Sequence, residues 1–390
     1  PDQALAGPDQ SLCNTNNTFL NGNNPTVGTG TWSQISGPNS ATIVDPLDRQ
    51  TQVTNLIAGT YEFEWEVANG ACTSADYMLV VHHPDISVTG PSDASICNGG
   101  TQTLTVSASG GTGGYTYQWE SSVDGNIPWN TIAGATSSSY TTPALAADRY
   151  YRCLVTASCG STYSSTAHVT VVPDPAITVQ PVPVTICSGT TTELTVTATG
   201  GTPSLNYQWE SSPNGTSGWA NVGSNNPSYT TASLTQTTYY RVTVSATGNG
   251  CNSITSGVVA VSVPRITTQP VSSTICTGGT VNALTIAVDA GSATLAYQWQ
   301  SATALAGPYS DVTGGSGANT TSYITDVLTA TTYFRCVVTV TSPACADLIS
   351  NVSTITVVPD PTINTQPSGI TICSGGTHTL TVAASGGTPS

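Results

Sequence analysis

One string recurs four times along the chain. It reads ICNGGTQTLTVSASGGT from Ile96, ICSGTTTELTVTATGGT from Ile186, ICTGGTVNALTIAVDAG from Ile275 and ICSGGTHTLTVAASGGT from Ile372. Its cysteines, Cys97, Cys187, Cys276 and Cys373, are 90, 89 and 97 residues apart. Two more blocks follow in register: YQWESS from Tyr117 and Tyr207 with YQWQSA from Tyr297, then RYYRC ending at Cys153, TYYRV at Val242 and TYFRC at Cys336. A fixed period of this length makes each copy a module, and the fold question becomes what about 90 residues can build. Prolines at His83/Pro84, Pro173–Pro175, Pro264 and Pro359–Pro361 interrupt strand pairing and stiffen the links. The reading is a related but distinct module over 1–83, repeats over 84–173, 174–264 and 265–358, and the start of a further repeat over 359–390. That last copy stops before its tryptophan block, so the polypeptide is expected to continue. Short links predict an end-to-end rod.

Within a copy the pattern has period two. Leu104, Val106 and Ala108 alternate with Thr105 and Ser107, and Leu194, Val196, Ala198 and Leu284, Ile286, Val288 repeat this. Alternation is the mark of a half-buried antiparallel strand. β-Branched and aromatic residues fill the runs, Gly, Asn, Ser and Pro separate them, and no long amphipathic helical stretch is present. About seven short strands per copy predict an all-β chain of tandem immunoglobulin-like sandwiches. Trp119, Trp209 and Trp299 fit the buried tryptophan of a central strand. Tyr151, Tyr240 and Phe334 stand two residues before Cys153, Val242 and Cys336, the spacing of the tyrosine corner. No cysteine lies opposite on the second strand, so the usual inter-sheet bridge is missing.

Polarity comes from hydroxyls rather than charges. Only 7% of residues are charged, with 21 acids, 6 arginines and no lysine, while Ser and Thr number 113. A net charge of −15 excludes a general nucleic-acid binder. Eleven cysteines without a CxxC pair argue for disulfides in an oxidising space rather than zinc. Repeat two holds only Cys187 and Cys251, so these are expected to pair. By position this extends to Cys97–Cys159, Cys276–Cys345 and, in the first module, Cys13–Cys72. Cys153 and Cys336 are left over; because Val242 holds the same place, they read as small buried core residues rather than reactive thiols.

No catalytic constellation emerges. There is no GxSxG, HExxH or Walker-type loop, and the Gly-Gly-Thr strings precede no helix. Glu62, Glu64 and Glu66 read as the solvent face of one strand. Glu120 and Glu210 become Gln300 in the third repeat, which speaks against catalysis. His82–His83 lacks a third metal ligand. Asp85, Asp174 and Asp360 at the junctions, and Asp45 with Asp48, leave calcium as a weaker option, but the Pro264–Arg265 junction has no acid. No catalytic or metal site and no cofactor is expected. Trp129, Trp219 and Tyr309 share one repeat position and are candidate glycan contacts, with packing beside Ile132, Val222 and Val312 as the plainer reading. With no lysine, Lys–Asn isopeptide crosslinks are impossible.

The strings AGPDQSLC, GTGTWSQISGP and VTNLIAGTYEFEWEVANGAC at 6–72 resemble the PKD/Ig-like modules of Bacteroidota surface proteins. The YQWESS and YYRC blocks resemble the Ig-like tandem repeats of the same proteins, among them giant type IX-secreted mobile adhesins of gliding flavobacteria. The resemblance implies a non-enzymatic, repetitive stalk or adhesin on the outer face of a Gram-negative cell. Its implied partners are surface polysaccharide or another cell-surface ligand, homotypic chain–chain contacts as in a filament or matrix, and outer-membrane anchoring or secretion machinery reached through other segments.

Overall fold

A computed structural model describes residues 1–279 and 281–388; Thr280 and the last two residues of the expected further repeat lie outside the described residues. Among the described residues every regular element is a β-strand or an isolated bridge. The residues group into two compact units. One comprises Pro1–Pro175 with Gly200–Leu205 and Ala246–Asn252; the other comprises Ala176–Thr199, Asn206–Ser245 and Ser253–Ser390.

The first module is a two-sheet sandwich. Its larger sheet runs in the order Gln10–Leu12, Cys72–His82, Gly59–Asn69, Thr29–Ser36, and its smaller one joins Thr18–Phe19, Gln52–Thr54 and Thr42–Ile43. Alternation sorts Gly59–Asn69: Tyr61, Phe63, Trp65 and Val67 are buried, while Glu62, Glu64 and Glu66 lie on the other face. Trp32 packs on Trp65 with ring centroids 5.0 Å apart. Gly22 and Gly30 lie against the Trp65 indole, where a side chain would collide with the ring.

The repeats share a second plan. In repeat one a six-stranded sheet carries Asn130–Thr131, the tryptophan strand Thr116–Ser122, the tyrosine strand Arg149–Ala157, the closing strand Ala167–Val172 and the lead-in strand Ala94–Cys97, with Gly160–Tyr163 also on the tyrosine strand. Short pairs, Thr103–Thr105 with Ser139–Thr141 and Ser107–Ser109 with Ser87–Thr89, form the facing layer. Trp119 lies between, fully buried, next to Tyr140 and Tyr151 in a chain of rings 5.9 and 5.8 Å apart. Trp209–Tyr229–Tyr240 and Trp299–Tyr323–Phe334 repeat that cluster. Phe334 fills its place without a hydroxyl, so this position supplies a packed ring rather than a corner hydrogen bond.

Strand direction sets where the cysteines lie. The lead-in strand pairs parallel to the closing strand, with Cys97 level with Val172 and Cys276 level with Val358. The lead-in cysteine therefore stands at the end where the chain leaves the module. The tyrosine strand runs the other way, and its hairpin (Ala157 opposite Gly160) puts Cys159 at the end where the chain enters. About eleven strand residues at ~3.3 Å each separate the two, roughly 35 Å. A cystine holds its Cα atoms within about 7 Å. The expected Cys13–Cys72, Cys97–Cys159, Cys187–Cys251 and Cys276–Cys345 bridges are therefore corrected. The bonds formed are Cys13–Cys159, Cys97–Cys251 and Cys187–Cys345, with Cα separations of 5.1, 4.8 and 5.3 Å. Cys72 and Cys276 are free thiols.

Candidate functional site

Each cystine is staggered: the lead-in cysteine of one module is joined to the hairpin cysteine of the next. Local chemistry holds the joints. In the first unit the Asn14 side-chain amide donates to the Cys159 carbonyl, and Cys97 N–H donates to the Asn249 carbonyl at 2.9 Å. Gly100 faces Asn249 and Gly250 so closely that neither glycine has room for a Cβ. The Asp174 carboxylate accepts from Asn252 N–H at 3.1 Å and its side-chain amide at 2.8 Å, bonds that hold its pKa below the usual aspartate value. In the second unit Ser292 N–H donates to Thr185 Oγ1 at 2.9 Å beside the Cys187–Cys345 joint. Asp174 is thus engaged by Asn252, and among the described residues no three acid, His or Cys side chains gather as a metal site would require. His83 Nε2 is 3.0 Å from Ser11 Oγ, and His168 pairs with Asp148 at 3.1 Å while stacking on Tyr150.

Trp129, Trp219 and Tyr309 are half-buried, and an arginine of the tyrosine strand covers one face of each. The guanidinium carbons of Arg152, Arg241 and Arg335 stand 4.3, 4.3 and 4.2 Å from the ring centroids. Glu120 and Glu210 hold the first two arginines at 2.8 Å, and Gln300 accepts from Arg335 Nε at 2.9 Å. In repeat one Tyr163 closes the other side of Arg152 at 3.9 Å. These carboxylates are orienting partners of cations, and the covered ring face is closed to a sugar.

Cys153 and Cys336 are fully buried free thiols. Burial pushes the Cys153 pKa up and that of Cys336 up to about 11, which keeps both protonated and unreactive. A feature absent from the sequence reading lies beside them. Ser164, Ser256 and Ser350 are buried hydroxyls that accept from the N–H of Cys153, Val242 and Cys336 at 2.9, 3.0 and 2.8 Å. Each donates in turn to the Ser165, Gly257 or Asn351 carbonyl. Their only sequence signal is a serine shortly before each closing strand.

A family model described as "Domain of unknown function (DUF8696)" matches residues 86–173, 178–265 and 267–359, and a PKD-domain model matches residues 6–81. No curated protein matches the chain. Among solved structures, three titin immunoglobulin domains in an E-to-A mutated variant are 13% identical, covering 70% of this chain and 98% of theirs at a TM-score of 0.36. Sidekick-1 immunoglobulin domains 1–5 are 14% identical over 91% of this chain and 80% of theirs (TM-score 0.29), and extracellular domains 3–5 of Drosophila OTK are 16% identical over 67% and 96% (TM-score 0.30). The chain is an array of a PKD-like and three immunoglobulin-like modules. Its three cystines fit an oxidising, extracellular setting.

Proposed function

We propose that this chain, which belongs to the DUF8696 family, is a load-bearing segment of an adhesive protein on a bacterial cell surface. The observation that carries the reading is the stagger of the cystines. From Cys13 to Cys345 the backbone path has 332 residue steps, but the bonds Cys13–Cys159 and Cys187–Cys345 shorten it to the 28 steps from Cys159 to Cys187. At ~3.5 Å per residue the covalent limit falls from about 1,200 Å to about 100 Å, whatever unfolds between. A tether that must not lengthen under load gains from this; a catalytic scaffold does not.

The resemblance of the modules to Bacteroidota surface proteins supports the finer assignment: the outer face of a Gram-negative cell, type IX secretion, anchoring through other segments, and a part in gliding. Antibody labelling of source cells with time-lapse imaging tests it. Travelling label is the expected result; label fixed on shed threads would replace the motile adhesin with a filament or matrix subunit held by homotypic contacts. The second reading is glycan retention through Trp129, Trp219 and Tyr309, favoured by one half-exposed aromatic in each repeat. Replacing Trp129 and Trp219 by Ala should abolish retention on a polysaccharide column; unchanged retention overturns it.

A further inference from the structure

Apart from the core thiols Cys153 and Cys336, the cysteines of this chain fall into two positional types that serve opposite ends of a module, and the partial repeat carries one more of the lead-in type at Cys373. Lead-in cysteines 13, 97 and 187 are each bonded to hairpin cysteines 159, 251 and 345. Cys276 is a fourth lead-in cysteine. It is level with Val358 as Cys97 is with Val172, and its carbonyl accepts from Gly279 N–H at 2.9 Å as the Cys97 carbonyl does from Gly100. Gly279 thus occupies the place of the glycine that admits the arriving hairpin at Cys97. Cys72 is a fourth hairpin cysteine. It stands one residue past the turn Asn69–Gly70, where Cys251 follows Asn249–Gly250 directly, and pairs across its turn with Asn69. Cys72 is exposed and Cys276 half-exposed, unlike the core thiols Cys153 and Cys336.

We propose that Cys276 and Cys72 are crosslinking sites, open halves of further joints of the same kind. Cys276 takes the hairpin cysteine of a module docked at the end of its closing strand, and Cys72 takes the lead-in cysteine of a module docked at the opposite pole. In each joint two S–H groups lose their protons, one S–S bond forms, and the two electrons reduce an extracytosolic disulfide oxidant R–S–S–R to two R–S–H. The partner module belongs either to the same polypeptide or to a second copy. The two free types are complementary, so Cys276 of one copy and Cys72 of another make a complete head-to-tail joint.

The test is a cystine map of the protein taken from source cells, with thiols trapped by iodoacetamide at lysis and digestion by pepsin, which needs no basic residue and works where disulfides do not exchange. The expected result is that Cys276 and Cys72 carry less than a tenth of the label, while Cys153 and Cys336 label only after denaturation. A Cys276 peptide joined to a peptide from outside residues 1–390 identifies a neighbouring module of the same chain type. A Cys276–Cys72 peptide, with a non-reducing ladder that collapses in Cys276→Ser, identifies a second copy. Full alkylation of both cysteines, or bonding of Cys276 to Cys345 or of Cys72 to Cys13, overturns the proposal. The surface-adhesin reading fails on other grounds, since the labelling pattern on cells does not depend on this thiol count.

Discussion

The first module and the repeats solve the same two problems, filling a core and joining a neighbour, and agree on only one of them. In the first module two tryptophans pack at a tilt of 41°, and Gly22 and Gly30 make room for Trp65. Each repeat instead uses one tryptophan, a line of aromatic rings and a buried serine under the tyrosine strand. Yet both place a cysteine at the end of a short strand that runs parallel to the closing strand, or directly after it, and both place another in the hairpin at the far end. Two different cores carry one joint. The joint is thus a separable device, set by strand direction and hairpin position rather than by what fills the sandwich.

That separation can be broken from either side. Replacing Cys97 and Cys251 by Ser together should cost the largest amount, about 5 kcal/mol in the chain-entropy model for a loop closed over 154 residues, while near-ultraviolet circular dichroism of the cores stays unchanged. Equal loss of core signal would mean that joint and core are one unit. Trp119→Ala should cost ~3–5 kcal/mol through a core cavity, read by urea unfolding, and leave Cys13–Cys159 and Cys97–Cys251 oxidised in a peptide map. Ser256→Ala leaves the buried Val242 N–H unpaired and should cost about 1–3 kcal/mol, read by urea unfolding.

Burial raises the Cys336 pKa to about 11, so its protonated form is favoured in the fold. The matching stability is complete below the ordinary thiol pKa near 9 and is lost as pH rises from there through 11. Cys336→Val, the residue type that repeat two carries at Val242, should flatten that part of the pH–stability curve. The smallest effect is expected from Gln300→Glu. It recreates in repeat three the ion pair of Arg152 with Glu120, and should add up to about 1 kcal/mol that 1 M salt removes.

The fold was legible because its signals are local. Leu104 and Val106 alternate with Thr105, Trp119 and Tyr151 recur in register, and side-chain period alone decides which face is buried. The burial of Cys153 was legible too, since Val242 at the same position argues for packing. The cystine partners were not. Counting cysteines shows that repeat two holds one of each type, but the count carries no direction, and only the parallel register of Ala94–Cys97 on Ala167–Val172 reveals that the two lie at opposite poles. The arginine lids over Trp129, Trp219 and Tyr309 were hidden for a related reason: Arg152 reaches Trp129 across the tryptophan strand, a contact no sequence spacing encodes.

The most direct test is to stretch single chains held at their ends, oxidised and then reduced. The staggered joints predict that the oxidised chain yields less than about 100 Å of extension from the whole Cys13–Cys345 stretch, and that reduction releases successive steps of roughly 300 Å as modules of about 90 residues unfold. Steps of that size in the oxidised chain would contradict the account.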